Sequence, residues 1–167
     1  MNAYRKTLFG YLFLLTAMNF GISSATATPY QSLDGLTGLE IAYDFRLDDP
    51  KKAALFLKLI HETYSDKDIN QLTKSPRFVV VFNGAAVKLI AEEQQGFSQE
   101  DQVYLREIAD RISLMAADGI KLEGCLKAAE IFQVDPNLFL GDIRKINNAW
   151  ISLAGYQAQR FSALPID

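Results

Sequence analysis

The sequence predicts an α/β fold in which helices cover a mainly parallel sheet of about five strands. Segments with strand-like patterns alternate with helix-like segments along the chain, as they do in α/β proteins. Residues 78–82 form an uninterrupted apolar run, which is typical of a central strand covered on both faces. No internal repeat or low-complexity tract interrupts the pattern, so the sequence indicates one domain.

The segment before the central strand is predicted to form a strand and a helix. Alternating apolar and polar residues at 39–45 predict a strand. Asp48 and Asp49 followed by Pro50 predict the start of a helix that runs to about residue 64. The residues predicted to form its packed face are Leu55, Phe56, Leu59 and Ile60. Residues 66–76 are polar and predict a loop or a frayed helical turn.

Two helices are predicted after the central strand. Asn83 and Gly84 end that strand, and residues 85–93 predict a helix. Ser98 and Asp101 resemble a capping box that opens the longest helix, which Gly119 stops. The apolar positions predicted to pack are Ala86, Val87, Leu89 and Ile90 in the first helix and Leu105, Ile108, Ile112 and Met115 in the second.

The last third of the chain continues the alternation. The elements predicted here are a strand at 120–123, a helix at 126–132, a fourth strand within 138–146, a brief helix through residue 153 capped by Asn147 and Asn148, and an edge strand at 155–161.

The N-terminus predicts a signal peptide spanning residues 1–27. Arg5 and Lys6 precede an apolar stretch at 7–20 that is too short to span a bilayer as a helix, and residues 24–27 offer an A-x-A cleavage site. Cleavage after Ala27 would leave residues 28–167 as one periplasmic domain. A retained membrane anchor and a buried core helix are the alternatives.

Charge and motifs exclude several classes of function. Loss of Arg5 and Lys6 would take the net charge from −3 to −5, which argues against nucleic acid or an anionic membrane surface as a partner. The chain has one histidine, His61, and one cysteine, whereas zinc sites use three or four such ligands, so no metal is expected. His61 is expected to be a solvated or partly packed helix residue. GxGxxG, GxxxxGKS/T and GxSxG are absent, and no cofactor is expected.

Cys125 is the residue best suited to chemistry. It is the single cysteine and lies where the third predicted strand meets a helix. Unpaired N–H groups and the positive end of a helix dipole favour thiolate at such a position and raise its nucleophilicity. A single cysteine cannot form a disulfide within its own chain, so in an oxidising compartment it is buried, bonded to a partner molecule, or a working thiol. The alternative to a reactive thiol is a small buried apolar side chain.

Asn83 and Gly84 follow the central strand as Cys125 follows the third. The carboxyl ends of parallel strands share one edge of the sheet, where ligands bind in open α/β folds, so we expect these residues to lie on the same edge. Simple turn chemistry is the alternative for Asn83 and Gly84. Trp150 and Tyr156 are candidates either to line a pocket or to pack in the core or between subunits.

Three segments in order resemble the DsrE/DsrF-like proteins of sulfur relay systems. They are FVVVFNGAAVKLI at 78–90, GIKLEGCLKA at 119–128 and WISLAGYQAQRF at 150–161, with Pro165 soon after. Their order and spacing look like the family's strand-Gly-helix segment, its cysteine turn and its closing Gly-Tyr strand. The resemblance covers residues 38–165.

The resemblance implies a flavodoxin-like, three-layer subunit that assembles into a homotrimer or homohexamer. It also implies that Cys125 carries sulfur as a persulfide between a sulfur donor and an acceptor protein. Gly124 would allow close approach of a partner, and the Asn83 amide beside Gly84 would orient a bound sulfur species. The characterised relays are cytoplasmic, whereas this chain is predicted to be exported, so their donors and acceptors do not carry over.

Two other functions fit the same residues. One is a noncatalytic oligomeric module that binds a small molecule or a protein at this edge while Cys125 is merely packed. The other is a redox-sensing thiol that forms intermolecular disulfides.

Overall fold

A five-stranded, all-parallel sheet forms the centre of the structure, a computed structural model that describes residues 28–93 and 96–167. The α/β prediction is therefore confirmed, while the predicted signal peptide at 1–27 lies outside the described residues. The strand order is β4-β3-β2-β1-β5. The strands are β1 (Glu40–Phe45), β2 (Arg77–Phe82), β3 (Lys121–Cys125), β4 (Arg144–Ile146) and β5 (Ser162–Ile166).

Five α-helices and a longer 3-10 helix connect these strands in the described part of the chain. The α-helices are α1 (Pro50–Tyr64), α2 (Lys67–Asn70), α3 (Asp101–Ala117), α4 (Leu126–Ile131) and α5 (Ala149–Ala158). The helix predicted at 85–93 is the 3-10 helix Gly84–Ile90, which stops at Ala91 because that residue pairs with Phe139 in an isolated bridge. None of the helices within the described ranges has the length and apolar character needed to cross a membrane.

The predicted central strand is central in the structure. β2 pairs with β1 on one side and with β3 on the other. All its side chains from Phe78 to Phe82 are buried, because helices cover both faces of the sheet.

The start of α1 is as predicted, and its packed face is predicted in part, because Ile60 is buried and Phe56 packs against the core. The Asp49 carboxylate accepts the Lys52 N–H at 2.7 Å and caps the helix directly before Pro50. Leu55 and Leu59, which were predicted to pack, are 52% and 44% exposed. The residues that α1 buries after its first turn are Ala53, Ala54, Leu57, Ile60 and His61. This stripe also has helical spacing, but two alanines and a histidine make it less hydrophobic than the stripe we predicted.

α3 begins and ends as predicted. The Asp101 carboxylate accepts the Ser98 N–H at 2.9 Å, and the Asp101 N–H returns to Ser98 Oγ at 3.2 Å, which is the reciprocal pattern of a capping box. All four predicted core positions of the helix are fully buried, and Gly119 terminates it with φ +94°.

The C-terminal elements differ from the prediction. α5, capped by Asn148, continues to Ala158 instead of ending near residue 153, and Gly155 and Tyr156 lie inside it. The predicted edge strand at 155–161 is therefore wrong, and the edge strand that follows α5 is β5. Arg160 ends the segment with φ +73°, and the burial of Tyr156 against the sheet holds the longer helix. The closing Gly-Tyr segment that contributed to the family resemblance is thus helical.

The helices lie on both faces of the sheet. β1 to β4 step in one direction, and β5 returns to the far side of β1. Because connections between parallel strands are right-handed, this order puts α1, α3 and α4 on one face of the sheet and α5 on the other. Successive residues of β3 show the two layers, because Glu123 contacts α5 while Gly124 faces Ile90 of the 3-10 helix. The chain therefore leaves the neighbouring strands β3 and β4 toward opposite faces. Open α/β folds form their ligand crevices at such a point.

Candidate functional site

Cys125 lies at the carboxyl end of β3, where the chain leaves β3 and β4 toward opposite faces of the sheet and the N-termini of α4 and α5 meet. It is the last residue of β3 and the N-cap of α4. Its Sγ accepts the Ala128 N–H at 3.4 Å and the N–H of Ala149, the first residue of α5, at 3.3 Å. Two backbone donors and the positive end of the α5 dipole therefore face one sulfur atom, an arrangement that stabilises negative charge.

Local contacts hold the two helix starts together. Asn148 Oδ1 accepts the Trp150 N–H at 2.9 Å and caps α5, and the Lys127 N–H donates to the Asn147 carbonyl at 3.2 Å. The turn after β4 is thereby tied to the first turn of α4, which lies beside the sulfur.

Cys125 is one of the residues that line a cleft of about 380 Å³. The side chain itself is buried, with 2% of its surface exposed. Trp150 and Ile131 line the cleft and are 75% and 72% exposed. The other lining residues are Arg46, Asn83, Gly84, Lys127, Ala128, Phe132 and Asn148. The structure therefore brings together three of the four site residues named from the sequence, Asn83, Gly84 and Cys125.

Asn83 and Gly84 form the turn that begins the 3-10 helix beside this cleft. Asn83 Oδ1 accepts the Gly84 N–H at 2.8 Å at the start of the 3-10 helix, and its amide donates to Asp44 Oδ1 at 3.3 Å. Gly84 adopts φ +57°, a conformation that glycine adopts without strain. Turn chemistry accounts for both residues.

Gly124 does not line the cleft. A Cβ built at this position would lie 2.7 Å from the Phe139 ring and 2.9 Å from side-chain carbons of both Ile143 and Ile90. The close approach expected at Gly124 is therefore made by core side chains of the same chain and not by a partner. Glycine is required here because a methyl group would overlap that packing.

The two cations of the cleft are paired with carboxylates. Arg46 lies 2.7 Å from Asp167 and 3.5 Å from Asp44. Lys127 bonds Glu130 at 2.8 Å, and this hydrogen bond, with the attraction between the charges, raises the pKa of Lys127 and lowers that of Glu130. The rim of the cleft therefore carries little net charge.

A buried carboxylate on β3 was missed by the sequence analysis. Glu123, two residues before Cys125, is 2% exposed. It accepts hydrogen bonds from Tyr156 OH, at 3.0 Å, and from Ser152 Oγ, and Arg144 lies 4.0 Å away. Burial, followed by the charge and hydrogen bond of Glu123, raises the pKa of Tyr156 to about 12. The sequence signal was an acidic residue between Leu122 and Gly124 in the strand, at the same alternation as Cys125.

His61 is buried and joins α1 to α3. Its Nε2 lies 2.6 Å from Asp118, and its Nδ1 lies 3.1 Å from Arg111. The ring is therefore more buried than the solvated or partly packed side chain expected from the sequence. Across residues 28–93 and 96–167, no three His, Cys, Asp or Glu side chains are placed to hold a metal ion.

Comparisons with known proteins bear on the fold alone. No model of a protein family matches the chain, and no curated protein matches it. Among solved structures, the chain is similar to a protein of unknown function, MTH1491, from Methanobacterium thermoautotrophicum, with a TM-score of 0.60. The two are 12% identical over an alignment covering 77% of this chain and 99% of the other. This similarity supports the single flavodoxin-like α/β domain.

Proposed function

We propose that the protein is a periplasmic sulfur carrier or sulfurtransferase-like protein in which Cys125 accepts sulfane sulfur and passes it to a partner. The observation that carries this proposal is the convergence of the Ala128 and Ala149 N–H groups on Sγ. Donors directed at sulfur stabilise the thiolate that must attack, and a stabilised thiolate also leaves readily when the sulfur is passed on.

The proposed reaction consists of two displacements with no net oxidation. The Cys125 thiolate attacks the outer sulfur of the donor, the donor's sulfur–sulfur bond breaks, and the donor fragment leaves with the electron pair, as sulfite if the donor is thiosulfate. Cys125 then holds a persulfide anion. An acceptor thiolate attacks its terminal sulfur, and the Cys125 thiolate leaves. No cofactor is needed for either step.

A second function, a noncatalytic binding module, is favoured by the burial of Cys125. The side chain is 2% exposed and caps α4, which are structural properties. In this alternative the cleft holds a small apolar molecule or a protein segment beside Trp150, and the thiol never reacts. Reactivity of the native thiol distinguishes the two functions.

Native Cys125 is expected to react with iodoacetamide through local opening of the cleft. Its alkylation rate should then change little between zero and moderate urea, because a small local opening exposes little surface. The rate is measured by intact mass at several urea concentrations below the unfolding transition, and fully unfolded chain gives the reference rate.

The binding module predicts a different urea dependence. If Cys125 reacts only after global unfolding, its alkylation rate will rise with urea in proportion to the fraction of unfolded protein. That result would contradict the carrier and support the packed cysteine.

We also propose that the domain assembles into a homotrimer or homohexamer. Trp150, Ile131 and the neighbouring Ile151 are large apolar residues that are more than two-thirds exposed in the C-terminal part of the chain, and such residues are common in subunit interfaces. Light scattering of residues 28–167 is expected to give three or six times the chain mass. A monomer at micromolar concentration would contradict the assembly, and the chemistry proposed for Cys125 would be unaffected.

A further inference from the structure

One stripe of α5 makes three hydrogen bonds to β3. Ala149, Ser152 and Tyr156 are spaced by three and four residues and therefore share a helix face. The N–H of Ala149 donates to Cys125 Sγ, while Ser152 Oγ and Tyr156 OH donate to Glu123. The helix that supplies a donor to the sulfur is thus also the helix bound by the buried carboxylate.

Glu123 and Cys125 lie on the same face of β3. They are two residues apart, and alternate side chains of a strand point to the same side of the sheet. A carboxylate buried this deeply is costly unless both oxygens are hydrogen bonded. Tyr156 binds one oxygen and Ser152 the other, so the position of α5 along β3 is set by the two atoms of Glu123 that it must satisfy.

The hydroxyl of Tyr156 is a stable donor in this arrangement. Burial and the neighbouring Glu123 raise the pKa of Tyr156 to about 12, so the phenol stays protonated at neutral and moderately alkaline pH. The anchor therefore persists over the range in which a cysteine thiol ionises.

We propose that Glu123 is a positioning residue for Cys125: by binding Ser152 and Tyr156 it fixes α5 on β3 and holds the Ala149 N–H against Sγ. This inference rests on the proposed function for its purpose, because it explains how one donor to the reactive sulfur is kept in place. The contact itself is measurable whether or not the thiol transfers sulfur.

The test is native-state amide hydrogen exchange of Ala149 and Ala128, the two residues whose N–H groups bond the same sulfur. Tyr156→Phe removes one hydroxyl and keeps the ring. We expect Ala149 to exchange about tenfold faster, as the loss of one hydrogen bond to a charged group implies. Ala128, which belongs to α4, should change less than about twofold. Ser152→Ala is expected to act in the same direction.

Two further variants control the comparison. Ser113 donates to Asp142 at 2.9 Å on α3, so Ser113→Ala removes the same kind of bond elsewhere and should leave both amides unchanged. In a Glu123→Gln background, Tyr156→Phe should accelerate amide exchange at Ala149 by about threefold or less. The hydrogen bond removed is then one to a neutral amide and not to a charged carboxylate.

Equal acceleration of amide exchange at Ala149 and Ala128 in Tyr156→Phe and Ser152→Ala would overturn the inference. It would mean that the hydrogen bonds to Glu123 only stabilise the core as a whole. Unchanged Ala149 exchange in both variants would also overturn it. If Ala149 responds but the protein takes up no sulfur, the positioning role stands and the carrier function fails. If sulfur is taken up and amide exchange at Ala149 does not change, the carrier function stands and the positioning role fails.

Discussion

Gly124→Ala is expected to lower the free energy of unfolding by about 2–3 kcal/mol. The added methyl group would lie 2.7 Å from the Phe139 ring and 2.9 Å from both Ile143 and Ile90. All three neighbours are buried in the core, so none can swing into solvent, and the overlap must be relieved by shifting packed side chains or the strand. The free energy is measured by urea denaturation of the variant and the parent chain.

Gly155→Ala is the matched control. Gly155 lies inside α5, and a Cβ there meets no heavy atom within 4 Å beyond the backbone of its own helix and its two chain neighbours. The same substitution should therefore raise stability by about 0.5–1 kcal/mol, the usual gain on replacing glycine in a helix. Equal stability changes in the two variants would show that the packing around Gly124 is looser than described.

Elements with strong local signals could be predicted from the sequence. The apolar run of β2 is long enough to indicate a strand covered on both faces, and the Ser98–Asp101 pair marks the start of α3 through contacts three residues apart. The place of Cys125 between β3 and α4 followed from the same kind of pattern. In each case the signal lies in residues that are close together in the sequence.

Elements decided by tertiary contacts could not be predicted. The packed face of α1 includes the small residue Ala53 and the polar residue His61, whose ring contacts Arg111 of α3. Hydrophobicity alone does not select either residue. The length of α5 depends on Tyr156, whose hydroxyl reaches Glu123 in a strand 33 residues earlier. Hydrophobic pattern and turn chemistry contain no information on such a pairing.

The second donor to Cys125 was missed for the same reason. Ala149 lies 24 residues after Cys125 and meets it only because β4 lies next to β3 and leads to the opposite face of the sheet. Local reasoning placed one helix N-terminus at the sulfur, whereas the fold places two.

The central claim is that Cys125 carries sulfur, and intact mass spectrometry after incubation with a sulfane-sulfur donor tests it most directly. We expect the native chain to gain about 32 Da, one sulfur atom, and to lose it on treatment with an excess of thiol, because persulfide exchange needs one thiolate. Cys125→Ser should gain nothing while remaining folded, since serine is similar in volume and its oxygen can accept the same two N–H bonds. A native chain that gains no sulfur, or a Cys125→Ser variant that gains as much as the parent, would contradict the claim.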